Sequence, residues 1–163
     1  MSDAADSRIE ALEMRLRTLE DRLEIYQLLA TYGPSVDSLS GDTLAGMWLE
    51  DAVYDAGGAD PYVGRQGIAD LLAVEPHQTY VGKGCAHVIS LPHVTVNGDR
   101  AVATGHSRVY LNQGDHWRVE RASANRWDLV RTAEGWQVAR RLNRPLNGTE
   151  ESRAVLRSGL EEA

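Results

Sequence analysis

Phenylalanine is missing altogether and cysteine occurs once, at Cys85, in a chain of 163 residues that keeps four Trp and six Tyr. With a single thiol an intramolecular disulfide is impossible, and a CxxC zinc or redox motif is excluded. No apolar run approaches the roughly 18 residues of a membrane span. The opening Met1-Ser2-Asp3-Ala4-Ala5-Asp6 lacks the basic start and apolar stretch of a secretory signal, so a cytoplasmic location is expected. Asp and Glu (24) outnumber Lys and Arg (17), giving a net charge of -7, which argues against a nucleic-acid surface built on clustered basic residues. Neither nucleic acid nor membrane is expected as a partner. HxH, HxxxH and HExxH spacings are absent, no GxGxxG follows a strand, and Gly82-Lys83-Gly84 has no Ser or Thr to complete a phosphate loop. His87 and His93 stand about 20 Å apart along a strand, too far to share an ion. No metal and no cofactor are expected.

What is present is an ordinary globular composition, 42% apolar and 25% charged. The length fits one domain over 1–163, with 1–20 as a helical N-terminal extension and 147–163 as a C-terminal tail. Ile9, Leu12, Leu16, Leu19, Leu23 and Tyr26 recur at steps of three and four, the spacing of a coiled-coil seam on one long helix. The seam is too short for a free-standing coiled coil, so it is expected to pack on its own domain or on another subunit. From Ile25 the apolar face widens through Leu28, Leu29 and Tyr32. Gly33-Pro34 then predicts a helix stop that leaves Tyr32 and Asp37 at the far end. A short helix over 42–49, strands at 52–55 and 62–64 around a turn at 57–61, and a helix over 66–74 follow. The stretch 75–84 reads as the loosest in the chain, a candidate lid.

The second half changes character. Four segments rich in Val, Trp, Tyr and Thr, at about 85–96, 100–112, 116–131 and 135–144, are separated by turn signals, of which Asn97-Gly98 is the strongest. Consecutive hairpins predict a strongly curved antiparallel meander. Helices first and meander second predict an α+β architecture with the helices on one face of the sheet.

Strand parity selects candidate chemistry. Turning the hairpin at Asn97-Gly98 places His87 opposite Arg108 with His106 diagonal to it, so both imidazoles are expected in one pocket. His87 is assigned as general base for a proton next to a carbonyl, with Asp37 accepting its other ring N–H. Tyr32 and Tyr54 would donate to the oxygen that gains charge. His106 would protonate the departing hydroxyl. Together these roles describe β-elimination of water or, with no leaving group, an isomerisation or ring closure. His77, His93 and His116, near loops and strand ends, are read as non-catalytic. Arg140, Arg141 and Arg144 read as strand-surface charges, one of which could meet an acidic group. Cys85 reads as a small buried residue.

With these residues laid out, the chain resembles the SnoaL-like branch of the nuclear-transport-factor-2-like (NTF2-like) superfamily over about residues 9–146. The resemblance rests on Leu19 to Leu28 of the first helix, the Tyr32-x4-Asp37 pair, Met47-Trp48-Leu49-Glu50-Asp51-Ala52, Gly64-Arg65-Gln66-Gly67-Ile68 and Arg131-x3-Gly135-Trp136. It implies a curved antiparallel sheet wrapped by N-terminal helices into a cone with an internal pocket. It is similar in particular to lyases of the scytalone dehydratase, bile-acid 7α-dehydratase and lindane dehydrochlorinase type, which need no cofactor. In these a helix-end aspartate pairs with a strand histidine, the places held here by Asp37 and His87. Tyr32 matches the bile-acid enzyme's tyrosine, Tyr54 a substrate-water tyrosine of scytalone dehydratase, and His106 that enzyme's second histidine. The resemblance implies a dehydratase acting on a compact, apolar, cyclic substrate such as a polyketide or steroid, in an oligomer that is commonly a trimer. Polyketide cyclases, isomerases and non-catalytic binding or assembly modules share the superfamily, and those readings stay open.

Overall fold

The computed structural model describes residues 2–58 and 60–161, with side chains from residue 5 onward. Ala59, within the turn expected at 57–61, lies outside the described residues, as do Met1, Glu162 and Ala163. The first helix, α1 (Ser2–Asp37), has two characters along its length. Ile9, Leu12, Leu16, Leu19 and Leu23, the predicted seam, are 52–62% exposed. Ile25, Leu29, Tyr32 and Val36 form the next apolar stripe at the same spacing and are buried in the core.

The helix does not stop at Gly33-Pro34. It carries Pro34 inside and ends at Asp37. Proline removes one backbone donor, and the carbonyl it would have served, on exposed Ala30, can turn to water. Gly33 has no Cβ to clash with the proline ring, so the residue before proline can stay helical. A tertiary reason for the glycine is stronger still. A Cβ at position 33 would lie 2.1 Å from the His87 carbonyl oxygen. The pair that reads as a terminator is the place where α1 crosses a strand backbone at closest approach.

After α2 (Gly41–Gly46) the chain enters β1 (Trp48–Asp55). Trp48 and Leu49, expected at the end of a helix, therefore begin a strand, and Trp48 is fully buried. A short β2 (Tyr62–Val63), α3 (Arg65–Ala69), a 3-10 turn (Asp70–Ala73) and α4 (His77–Lys83) follow. The predicted strand over 85–96 is two strands, β3 (Cys85–Ile89) and β4 (His93–Asn97), parted at Ser90-Leu91-Pro92. The rest are β5 (Arg100–Asn112), β6 (Trp117–Thr132), β7 (Gly135–Pro145) and a final α5 (Glu150–Leu160).

The sheet order is β2-β1-β7-β6-β5-β3, with β4 also paired to the long β5. Every pairing is antiparallel except β1 with β7, which is parallel, so the sheet is mixed rather than a pure meander. This α+β arrangement, with helices on a curved, unclosed sheet, agrees with the architecture expected from the sequence. The inner face carries Ala103, Trp127, Leu129 and Val138 against α1 and Trp48. On the outer face α5 lies on β5, where a Cβ on Gly159 would sit 2.5 Å from that of Thr104.

A clamp holds the middle of α1 to the far end of the sheet. Asp21 is 8% exposed; Arg131 donates to both of its oxygens at 2.7 Å, and the Trp136 indole N–H donates at 3.1 Å. The Arg131 guanidinium also stacks on the Trp136 ring at 4.5 Å. Arg131 and Trp136, motif residues in the sequence, are structural here.

Candidate active site

The end of α1 and the start of β3 meet over one wall of a cavity of about 370 Å³, lined by Tyr32, Tyr54, His77, Tyr80 and His87 among others. Asp37, the last helical residue, accepts from His87 twice. One oxygen takes the backbone N–H at 2.8 Å and the other takes ring Nδ1–H at 2.6 Å. The second oxygen also accepts from the Cys85 thiol at 3.2 Å. The close approach at Gly33 makes this possible, because a bulkier residue would push β3 away from the helix one turn before Asp37. Burial opposes ionisation of Asp37, but the two His87 hydrogen bonds, the imidazole charge and the Cys85 thiol outweigh it and hold the carboxyl below its ordinary range.

Since a carboxylate can only accept, His87 carries its proton on Nδ1 and its lone pair on Nε2 when neutral. Burial, then the bond and charge of Asp37, push the Cys85 thiol up to about 12, so it stays protonated and is no nucleophile at neutral pH. Asp37, Cys85 and His87 place one ligand atom each within 4.8 Å of one another, the grouping among the described residues best placed to take a metal ion. A cation there would first have to displace the thiol and imidazole protons that the carboxylate already binds.

Tyr32 and Tyr54 are both buried and both line the cavity. Burial and the neighbouring Tyr54 raise the pKa of Tyr32 despite the opposing charge of Arg141, so Tyr32 is a hydroxyl donor at neutral pH. Arg141 corrects the surface reading. It is 2% exposed, with its guanidinium 4.1 Å from the Trp127 ring, 4.3 Å from Tyr32 and 4.7 Å from Tyr54. Its Nε and Nη2 both donate to the Asn125 side-chain oxygen, at 3.0 and 2.7 Å, and Nη1 has no partner among the described residues. A cation is thus held behind the two tyrosines by π faces and an amide, without a carboxylate. Arg144 is committed elsewhere, to Asp55 and Glu151.

His106 is not in the cavity. The β3–β5 register pairs His87 with Val109, not with Arg108. The turn at Gly98-Asp99 moves the β4–β5 pairing by two residues, which keeps the faces, and the break at Ser90-Leu91-Pro92 then shifts the β3 ladder back by one, which exchanges them. Val109 faces inward, whereas His106 and Arg108 are exposed on the outer face. His93 and His116 are exposed too, away from the cavity lining.

The residue missed by sequence reasoning is His77. It opens α4, lines the cavity, and brings its ring centroid within 5.6 Å of that of His87. Its Nε2 donates to the Val36 carbonyl at 2.9 Å. Its one legible signal was its place in the loose segment facing the helix end. Also in the cavity lining, Tyr80 donates to Glu120 at 3.3 Å, and Glu120 is the extra residue at an irregularity between β5 and β6.

This cavity, open under a helix end and floored by a curved sheet, is the arrangement of the NTF2-like class. The SnoaL-like domain family matches residues 17–142, and the chain belongs to that family. An uncharacterized protein of Mycobacterium tuberculosis, Rv2910c, is 33% identical over 138 residues, which span 76% of this chain and 84% of that protein. The crystal structure of an NTF2-like protein with a cystatin-like fold from Novosphingobium aromaticivorans is 42% identical, with a TM-score of 0.86, covering 89% of this chain and 94% of that one. A structure from Catenulispora acidiphila shares the fold at 23% identity and TM-score 0.70, covering 83% of this chain and 96% of its own.

Proposed function

We propose that this chain is a cofactor-independent lyase of the dehydratase type, acting on a small, cyclic, largely apolar substrate through the Asp37–His87 pair. The observation that carries the reading is the 2.6 Å bond from His87 Nδ1 to Asp37 in the cavity wall. It fixes the tautomer, leaves the Nε2 lone pair for the substrate, and stabilises the imidazolium once a proton arrives. Base catalysis of this kind is worth about 10² to 10⁴ in rate.

In the proposed reaction His87 Nε2 takes the proton from the carbon beside a carbonyl. Tyr32 and Tyr54 donate to the carbonyl oxygen as it gains charge, with the Arg141 cation behind their rings. The released electron pair forms the C=C bond as the β C–O bond breaks. The departing oxygen then recovers the proton from His87 and leaves as water. With His106 on the outer face, one imidazole performs both transfers, so proton and hydroxyl leave from the same side. If the proton returns to a different carbon instead, the same site is an isomerase or cyclase, and the presence of a single dyad base keeps that second reading in view.

Self-association is part of the proposal, supported by the exposed apolar seam of α1. No described helix is long and apolar enough to cross a membrane.

The test begins with a thermal-stabilisation screen of hydroxylated polyketides, sterols and terpenoids, followed by mass analysis of the incubated hit. A product lighter by one water, lost in His87→Ala while ligand affinity stays within a few fold, is the expected result. An isomer of unchanged mass selects the isomerase or cyclase. Tight binding with no turnover by the wild-type chain overturns the enzyme reading in favour of a binding module.

A further inference from the structure

His77 and His87 hang from consecutive residues of one helix end, Val36 and Asp37, and present their rings to one cavity. A carbonyl oxygen cannot donate, so the nitrogen facing Val36 must carry a proton. In the neutral ring this leaves the lone pair on Nδ1, for which no hydrogen-bond partner occurs among the described residues. Burial lowers the basicity of the ring and His87 acts in the same sense, outweighing the Val36 bond and the Asp37 charge, so His77 is neutral at neutral pH. With both rings neutral, the cavity holds two imidazole lone pairs, on rings 5.6 Å apart. They are not equivalent: His87 is backed by a carboxylate that welcomes a proton, His77 by a carbonyl that offers far less.

We propose that His77 is the subsite for a hydroxyl group of the substrate, its Nδ1 accepting that O–H while the neighbouring C–H is presented to His87 Nε2. The second clause rests on the dyad reading above; the first does not. The hydroxyl held by His77 is one that the reaction retains. Accepting its proton pushes electron density onto that oxygen, whereas an oxygen about to leave needs a proton supplied, and the Nε2–H of His77 is already spent on Val36. The substrate class is thereby narrowed to compact apolar rings that carry a phenol or alcohol besides any group expelled. Such a pocket rejects the corresponding ether, because the ether cannot donate and leaves Nδ1 desolvated and unpaired.

The probe pair is 2-naphthol and its methyl ether, 2-methoxynaphthalene, added to the full chain labelled with ¹⁵N. Two-bond ¹H–¹⁵N spectra read the two nitrogens of each histidine separately. We expect His77 protonated on Nε2 in the free protein, and its Nδ1 resonance to move upfield with 2-naphthol but not with the ether. The wild-type chain should prefer naphthol over the ether by roughly tenfold, the worth of about one hydrogen bond. In His77→Gln, whose side-chain N–H still reaches for Val36 but which has no ring lone pair, that preference should fall to about unity. A proton on Nδ1 in the free protein, a response confined to His87, an unaltered preference in His77→Gln, or no binding of naphthol up to its solubility would each overturn the proposal. A purely structural His77, serving only to tie α4 to α1, would leave the Nδ1 resonance unmoved. Failure of the dyad reading shows elsewhere, as unchanged turnover in His87→Ala, so the two can fail separately.

Discussion

Two aspartates on the same helix have opposite employments. Asp21 and Asp37 lie about 24 Å apart along α1, each turned inward, and each held below its ordinary pKa. Asp21 is held chiefly by the Arg131 hydrogen bonds, against a burial cost, with help from Trp136. Its partner never gives up its charge, and its oxygens are taken by a two-pronged guanidinium and an indole. That is a fastening. Asp37 is paired with an imidazole, a ring that can exist with or without charge, and the other nitrogen of that ring has no hydrogen-bond partner among the described residues. On the proposed reading, the same side chain on the same scaffold is structural beside a permanent cation and chemical beside an imidazole.

The contrast is broken most sharply at Asp37. Asp37→Asn should leave the fold intact and cut turnover by about 10² to 10⁴, because the amide no longer enforces the Nδ1–H tautomer or steadies the imidazolium. Steady-state kinetics beside a circular-dichroism melt check both halves. Gly33→Ala comes next. A methyl 2.1 Å from a backbone oxygen must push α1 off β3, so on the order of 3 kcal/mol of stability should go together with the His87–Asp37 bond. Urea unfolding and the loss of the downfield His87 ring N–H resonance would show it. Asp21→Asn should show the inverse of the first variant: a loss of ~1–2 kcal/mol of stability, with turnover per folded molecule unchanged.

Acid sharpens the comparison further. Both carboxyls titrate lower folded than unfolded, so the unfolded chain binds their protons first. Their stabilisation is complete above the ordinary carboxylate pKa and is lost as pH falls below about 4 through the folded-state values. The urea midpoint should therefore drop on the acid side, and less steeply in Asp21→Asn. The smallest effect is expected at His106→Ala, within about 0.5 kcal/mol in stability and without change in turnover, since the ring is exposed on the outer face.

Much of the fold was legible because local chemistry and tertiary structure agree there. The hairpin expected at Asn97-Gly98 is present with its turn one residue later, at Gly98-Asp99 between the paired Asn97 and Arg100 and with Gly98 at φ +60°, and the seam-to-core change along α1 follows its apolar residues. Tyr32, Asp37 and His87 could be picked out because spacing and side-chain chemistry both marked them. The failures have particular causes. Gly33-Pro34 carries the local signature of a stop, and only the strand crossing it explains why the helix continues. His106 falls on the outer face because 85–96 is two strands rather than one, and Pro92 marks the break, since proline interrupts a ladder. His77 was out of reach because nothing local says that a seven-residue helix folds back onto Val36. Arg141 was misplaced because strand periodicity does not reveal which face three aromatic rings will occupy.

Val36 and Asp37 are neighbours in the chain, and each secures one ring. Their fates are therefore joined: a fraying of the final turn would unhook both histidines at once, and a slip of one residue would swing both anchors about 100° out of register. On the proposed reading, competence is acquired in one event, the seating of a helix terminus, rather than contact by contact. Deuterium uptake at the His87 amide, itself bound to Asp37, is the natural clock for that event.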